Sequence, residues 1–365
     1  MAGEKRIPSL DGIRAFLLFI VVTSHLTGTA NFPITKLSSV VVTDLAFRAF
    51  FVISGYLITG ILLHDHEKRG TISLGKFYFR RVLRLFPAFY VYVGVVLVLH
   101  YWKGLPLNDG DVTHALTYTM NYHRDRAWSL GASWSLSVEE QFYLLWPLIL
   151  LFLKPRWGLW LAALFVVAGP FLRVGSWYLF PDQTSRDGIG ETFPTIADSI
   201  AVGCVLTRGR KWLDENELYN RFRASPWFLI VPILLIAVTR TGGHPLPHMV
   251  VGQTSMNIGI ALCIDWCIKY PDGRVGRFIN WQPFVVIGTW SYSMYLWQQL
   301  FCNRTSDWWM CAFPQNLIFT TIAGVISFYV VEKPSLKMRE WLEPRLFQRA
   351  APVPVVPPRA AAAGD

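Results

Sequence analysis

The sequence predicts an all-α polytopic membrane protein, a bundle of about ten transmembrane helices with both termini cytoplasmic. Three observations carry this expectation. The 365-residue chain is 53% hydrophobic. Only 16% of it is charged, against about 25% for a soluble domain. The apolar residues also come in blocks of roughly 17–22, the length that crosses a bilayer. The net charge of +10 would suggest nucleic acid as the partner of a soluble protein. Here it reads as topology, because Lys and Arg collect on the cytoplasmic side of membrane helices. The expected partner is the lipid bilayer, with no nucleic acid.

In order, the candidate spans are 13–30, 45–63, 85–101, 136–153, 158–178, 191–206, 226–240, 250–268, 281–301 and 314–331. No small-residue cleavage site follows the first, so it reads as a retained span. Segment 112–122 (VTHALTYTMNY) competes for an eleventh place, and charge decides against it. With ten spans and the N-terminus inside, 25 of the 34 Lys and Arg face the cytoplasm and seven face outward. An eleventh span would reverse that bias, contrary to the positive-inside rule. Residues 102–135 are then an outer loop, partly re-entrant. The division is a transmembrane domain over 1–340 and a disordered cytoplasmic tail over 341–365, Pro/Ala-rich at 351–364.

An ionisable side chain inside a span costs several kcal/mol unless paired or solvated, so each one marks a candidate site. His25, in TSHLTG, falls in the outer third of the first span. Arg14 lies 11 residues earlier, three turns plus about 20°, so both point the same way about 16 Å apart. Asp11 falls on nearly the same stripe, which suggests a lined cavity. Glu139 and Glu140 begin the fourth span, which runs inward from the outside, and this places Glu139 at about the depth of His25. Glu139 shares a helix face with Ser135, Phe142 and Tyr143. A carboxylate beside an imidazole would orient it and raise its basicity. At the cytoplasmic start of the third span, FYFRRVLRLFPAFY brings Arg80, Arg81 and Arg84. Arg81 and Arg84 share one face, and guanidinium groups match phosphate oxygens. Asp198, after a Pro-broken stretch, is a further cavity candidate, and Asp265 has no partner that sequence reveals.

These residues stand in motifs that together resemble the acyltransferase 3 family, integral membrane acyltransferases of the O-antigen and macrolide acetylase type. The motifs are SLDGIRAFLLFIVVTSHL (9–26), RAFFVISGYLITGIL (48–62), FRRVLRLFPAFY (79–90), SWSLSVEEQFYLLWPLI (133–149), ADSIAVGC (197–204), IGTWSYSMYLW (287–297) and FYVVEKPSLKMR (328–339). The resemblance covers about 7–340. It implies a multi-pass cell-membrane protein of the bacterial inner-membrane type. It also implies transfer of an acyl group, usually acetyl, from cytoplasmic acyl-CoA to a hydroxyl, often of a cell-surface sugar. Arg14 and His25 match the family's Arg/His motif, whose histidine is thought catalytic. Arg81 and Arg84 match its arginine motif, linked to acyl-CoA. The pattern W-x-L-x-x-E-x-x-F-Y falls on Trp134, Leu136, Glu139, Phe142 and Tyr143, and so selects Glu139 over Glu140, which reads as a neighbour at the water interface. One departure is plain: many members carry a histidine after YLW, where this chain has Gln298. The sequence shows no fused esterase-like domain, so the chain is expected to finish the transfer alone or pass its acyl group to another protein.

The expected mechanism follows. His25 is general base on the acceptor hydroxyl, which attacks the thioester. Glu139, within reach of His25 or of a shared water, orients the imidazole. Arg81 and Arg84, assisted by Arg14, hold the CoA phosphates, and donor and acceptor approach from opposite sides. An acyl-histidine intermediate is a second route to the same product. The competing classes are a sugar or lipid transporter, which inverted repeats would favour and none is visible, and a scaffold without chemistry. No metal is expected, since His64-Asp65-His66 lacks further ligands at metal spacing. Cys263 and Cys267 read as small apolar packing residues. Cys302 and Cys311, in one outer loop, are a candidate disulfide if that side is oxidising. Asn303-Arg304-Thr305 fits a glycosylation sequon, meaningful only in a eukaryotic secretory setting.

Overall fold

Apolar length sets most of the helices, and proline and small residues set their ends and spacing. The computed structural model describes residues 7–34, 39–180, 182, 188–225, 227–237 and 245–347. The helices are α1 (Pro8–Leu26), α2 (Ser39–Arg69), α3 (Leu74–Lys103), α4 (Asp111–Leu116), α5 (Trp128–Gly131), α6 (Ser133–Phe152), α7 (Lys154–Leu179), α8 (Phe193–Glu215), α9 (Glu217–Ala224), α10 (Ile230–Ala237), α11 (Gln253–Lys269), α12 (Arg274–Ile279), α13 (Gln282–Phe301) and α14 (Gln315–Phe347). A wide π turn at Phe328–Glu332 interrupts α14. No strand occurs among the described residues. Proline opens α1, α7, α8 and α13, where its missing N–H has no intrahelical role.

Among the described residues, five helices are long and apolar enough by themselves to cross a membrane: α1, α2, α3, α7 and α14. Helical stretches also stand at the other five candidate positions, of which α10 shows only eight described residues. Segment 112–122 forms no long helix. It holds the six-residue α4 and a single turn at Met120–Tyr122. It folds back beside α6, where Ser137 Oγ accepts from the Met120 N–H and Gln141 Nε2 donates to the Tyr118 carbonyl. The last helix continues to Phe347, so 341–347 are helical where the sequence suggested tail; 348–365, including the Pro/Ala-rich stretch, lie outside the described residues.

Close packing of helices in a membrane relies on small residues that let backbones approach. Gly55 of α2 and Gly203 of α8 face each other's helix so tightly that a Cβ on either would collide with a backbone carbonyl, that of Ile200 or of Val52. These two helices make the broadest contact in the bundle.

Two buried ion clusters tie the helices together; one corrects the reading of Asp198 and the other supplies partners the sequence did not reveal for Asp265. Asp198 does not face a cavity with the other candidates. It pairs with Arg173 at 2.7 Å and lies 3.9 Å from Arg48, all three fully buried. Arg48 in turn bonds Asp44 at 2.9 Å and Ser199 at 3.1 Å. Asp265, whose partner the sequence does not reveal, has three: Arg223 at 2.7 Å, Tyr219 at 3.0 Å and Arg210 at 3.3 Å. Burying each charge against its opposite removes the cost of isolating it in a low-dielectric interior.

Helix α3 carries Pro87 in its interior. Proline has no N–H for the carbonyl four residues back, and in a membrane-class bundle that acceptor must be met by a neighbour. The Ser335 hydroxyl of α14 donates to that carbonyl, Leu83, at 2.5 Å. Farther along the same pair of helices, Glu343 accepts from Arg80 at 2.5 Å and lies 3.1 Å from Lys76.

Candidate active site

The candidate residues form a polar column between α1, α2, α3, α6, α13 and α14, in layers stacked along the bundle. His25 occupies the last turn of α1 and is half-buried. Its Nδ1 lies 3.1 Å from Gln298 Oε1 and 3.3 Å from Gln299 Nε2, both on α13. Trp128 of α5 meets the imidazole edge to face at 5.3 Å. Arg304, from the loop after α13, donates to the Ser24 carbonyl at 2.7 Å and lies over the Trp128 ring at 5.6 Å.

One turn along α13 from Gln299, Tyr295 shares a 2.7 Å hydrogen bond with Ser135 of α6. One turn along α6 from Ser135 comes Glu139. Ser54 of α2 donates to Glu139 Oε1 at 2.6 Å, and the Tyr143 hydroxyl lies 3.2 Å from Oε2. Tyr143 also reaches Ser54 at 3.1 Å. The Arg81 guanidinium lies over the Tyr143 ring at 4.4 Å, a cation–π contact.

The arginines complete this end of the column. Arg14 pairs with Asp11 at 3.4 Å and is within electrostatic range of Arg84, Glu139 and Tyr143. Arg84 is exposed and makes no hydrogen bond among the described residues. It faces Glu332, which accepts from Ser293 at 2.9 Å. Arg80, in the same cluster by sequence, is bound to Glu343 instead.

The structure therefore brings Asp11, Arg14, Arg81, Arg84, Glu139, Ser135 and Tyr143 into one column with His25, and removes Asp198. It also corrects the pairing of His25 with Glu139. Two helical steps of four residues, Gln299 to Tyr295 and Ser135 to Glu139, separate their layers by about 12 Å at 1.5 Å per residue. No hydrogen bond joins them. Glu140 is half-buried beside Arg81, Tyr90 and Tyr118 rather than exposed at an interface.

Sequence reasoning missed Ser54, Tyr295, Gln299, Trp128, Arg304 and Glu332 as members of the column. Ser54, Tyr295 and Glu332 lie inside the family motifs, and Gln298 stands where many members carry a histidine. Nothing in the sequence marks Trp128, and Arg304 stands out only as the middle of a sequon. Among the described residues no group of His, Cys, Asp or Glu is placed to hold a metal ion; Asp65 instead accepts from the Ser73 N–H and pairs with Arg69. Cys302 and Cys311 are both free thiols, the first near Thr320 and the second near the Leu300 carbonyl, so the candidate disulfide is absent.

Compared with known proteins, residues 7–331 match the family described as an acyltransferase domain, acyltransferase 3. The chain is 29% identical over 362 residues to the putative peptidoglycan O-acetyltransferase YrhL of Bacillus subtilis, covering 91% of this chain and 55% of that protein. It is 28% identical to the peptidoglycan O-acetyltransferase OatA of Listeria monocytogenes, covering 93% and 56%. It is 26% identical to the O-acetyltransferase OatA of Staphylococcus aureus, covering 92% and 58%. The chain thus spans little more than half the length of the curated relatives it matches.

Proposed function

The chain belongs to the acyltransferase 3 family of multi-pass membrane proteins, and from that premise we propose that it is a membrane O-acetyltransferase. It moves an acetyl group from cytoplasmic acetyl-CoA to a hydroxyl of a cell-envelope carbohydrate, with peptidoglycan as the leading acceptor. The names of three relatives support the acetyl group and, for two of them, the acceptor. The column of polar side chains from Arg84 to His25 is the observation that carries the reading. It offers phosphate-binding cations at one end and a base at the other, through the middle of an apolar bundle.

In this reading ten helices cross the membrane with both termini cytoplasmic, which puts the arginines inside and His25 toward the outside. Arg81 and Arg84, with Arg14, hold the phosphates of CoA. The thioester arm follows the column past Glu139 and Ser135 to His25. The imidazole takes the proton of the acceptor hydroxyl, whose oxygen attacks the acetyl carbonyl. The carbon–sulfur bond breaks, and the thiolate leaves with the proton from the imidazole. Glu139 acts in the donor layer, bonded to Ser54 and Tyr143 near Arg81, rather than on the histidine.

The test is the mass of envelope glycans from cells with and without the gene. Loss of one acetyl unit per modified sugar in peptidoglycan is expected. A shift confined to another glycan keeps the enzyme and replaces the acceptor. Unchanged masses in every glycan, with transport of a sugar or lipid impaired, would overturn the proposal.

A further inference from the structure

The seam between α3 and α14 carries one cation more than its acids receive. Ser335 of α14 donates to the Leu83 carbonyl at 2.5 Å, and Glu343 holds Arg80 at 2.5 Å and Lys76 at 3.1 Å. Arg339 lies midway, four residues from each, so it shares their face of α14 and is turned toward α3. Its Nε is buried there without a hydrogen-bond partner. The charges within its electrostatic range are Arg84 and Arg80, which repel it, and Glu343 and Glu340. Glu343 already serves two cations. Glu340 is exposed and, as the next residue, points about 100° away around the helix. Arg84 likewise makes no hydrogen bond among the described residues and faces Glu332. Like charges held together disfavour each other, and an unsatisfied buried donor costs free energy. The arrangement implies an anion that arrives from outside the chain. Arg339 as a whole is only half-buried, so such an anion can reach it.

We propose that Arg339 binds the 3′-phosphate of CoA and makes the site select CoA over a donor that lacks that group. This rests on the acyltransferase reading, in which the arginines hold the CoA phosphates and the thioester arm runs inward, and it assigns a residue to one particular phosphate. In CoA the diphosphate joins the arm to the ribose, and the 3′-phosphate stands on the far side of that ribose. With the arm inward, the 3′-phosphate is the outermost charge. Arg339 comes seven residues after Glu332, the residue that Arg84 faces, which sets it about 10 Å farther toward the end of α14. The order of the cations, Arg84 then Arg339, thus matches the order of the phosphates. A guanidinium fork gives two N–H groups to two phosphate oxygens, and the phosphate charge offsets the repulsion between Arg339 and Arg84. Arg80 takes no part, because Glu343 occupies it.

The experiment uses the full chain with two donors, acetyl-CoA and 3′-dephospho-acetyl-CoA, in phosphatidylcholine proteoliposomes with a carbohydrate acceptor. Wild type is expected to show a KM about tenfold higher for the dephospho donor, with kcat unchanged. Arg339→Gln should raise the KM for acetyl-CoA about tenfold and leave that for the dephospho donor within twofold. Arg339→Lys, which keeps the charge and loses the fork, should fall between. The same pattern is expected in the Kd of CoA and 3′-dephospho-CoA, measured by calorimetry on the chain in detergent. An equal rise in KM for both donors in Arg339→Gln overturns the proposal and leaves Arg339 a structural prop for Arg84, as does a wild type that does not distinguish the donors. If Arg339→Gln does not fold, judged by thermal melting, the wild-type ratio and Arg339→Lys decide. Wild type that prefers CoA in binding but transfers no acetyl group keeps the phosphate site and overturns the acyltransferase reading. Wild type that neither binds CoA nor transfers acetyl overturns both.

Discussion

Glu139 and His25 stand in different layers of one polar column. Glu139 is bonded to Ser54 and Tyr143, and His25 to Gln298, with the Ser135–Tyr295 hydrogen bond between them. In the proposed reaction, the separation divides labour that a single catalytic pair would share.

It predicts different failures for the two residues. His25→Ala should abolish acetyl transfer at normal protein level. Glu139→Gln should weaken use of the donor, raising its KM about tenfold, since the carboxylate belongs to the layer of Arg81. Steady-state kinetics in proteoliposomes would check this. Loss of kcat in Glu139→Gln with KM unchanged would return Glu139 to a direct role in the chemical step.

The arginines should also separate. Arg81→Ala removes a cation that the column leaves facing Tyr143 and should raise the acetyl-CoA KM by tenfold or more, since hydrogen bonds to charged groups contribute about 1.5–3 kcal/mol. Arg80→Ala should leave KM alone and lower thermal stability, because its partner is Glu343. Equal effects of the two on KM would argue for one undivided clamp.

Asp198→Ala should destabilise the protein by about 3–5 kcal/mol, because it strands Arg173 and leaves Arg48 short of charge in a dry interior. Melting temperature in detergent would report it. If stability holds and acceptor preference changes instead, Asp198 lines a substrate path after all.

Gly203→Val should cost about 1–3 kcal/mol, as the added side chain meets the Val52 carbonyl of α2. Gly209→Ala, six residues on in the same helix with open space around it, is the control and should melt with wild type.

Protein denatured without reductant should expose all five cysteines to a maleimide, since each is free among the described residues. Three modified thiols would reinstate a Cys302–Cys311 bridge.

The helical class was legible because apolar length alone distinguishes a membrane bundle. That Arg81, Arg84, Glu139 and His25 would gather along one polar column was legible because ionisable groups at depth have so few innocuous explanations. The relative depth of Glu139 and His25 was not. Hydropathy starts the fourth span at 136, but α6 begins at Ser133, since the Ser133 and Ser135 hydroxyls are hydrogen-bonded inside the bundle. At the other side, α1 ends at Leu26 rather than 30, which puts His25 at its tip. Both shifts move the residues apart. The partners of Asp198 and Asp265 were not legible for a related reason: their arginines lie 25 and 42 residues away in sequence, and only helix packing brings such pairs together.

The bond from Ser335 to the Leu83 carbonyl places a responsibility on residues far from the chemistry. The family match ends at 331, yet the stretch beyond it grips α3 at the proline that breaks its ladder and again at Lys76 and Arg80. Arg81 and Arg84 are rooted in that same length of helix. The polar end of α14, Lys333–Phe347, therefore works as a brace for the arginine end of the column. A chain cut after the last apolar residue would retain Arg81, Arg84, Glu139 and His25 and lose the support that aims the two arginines.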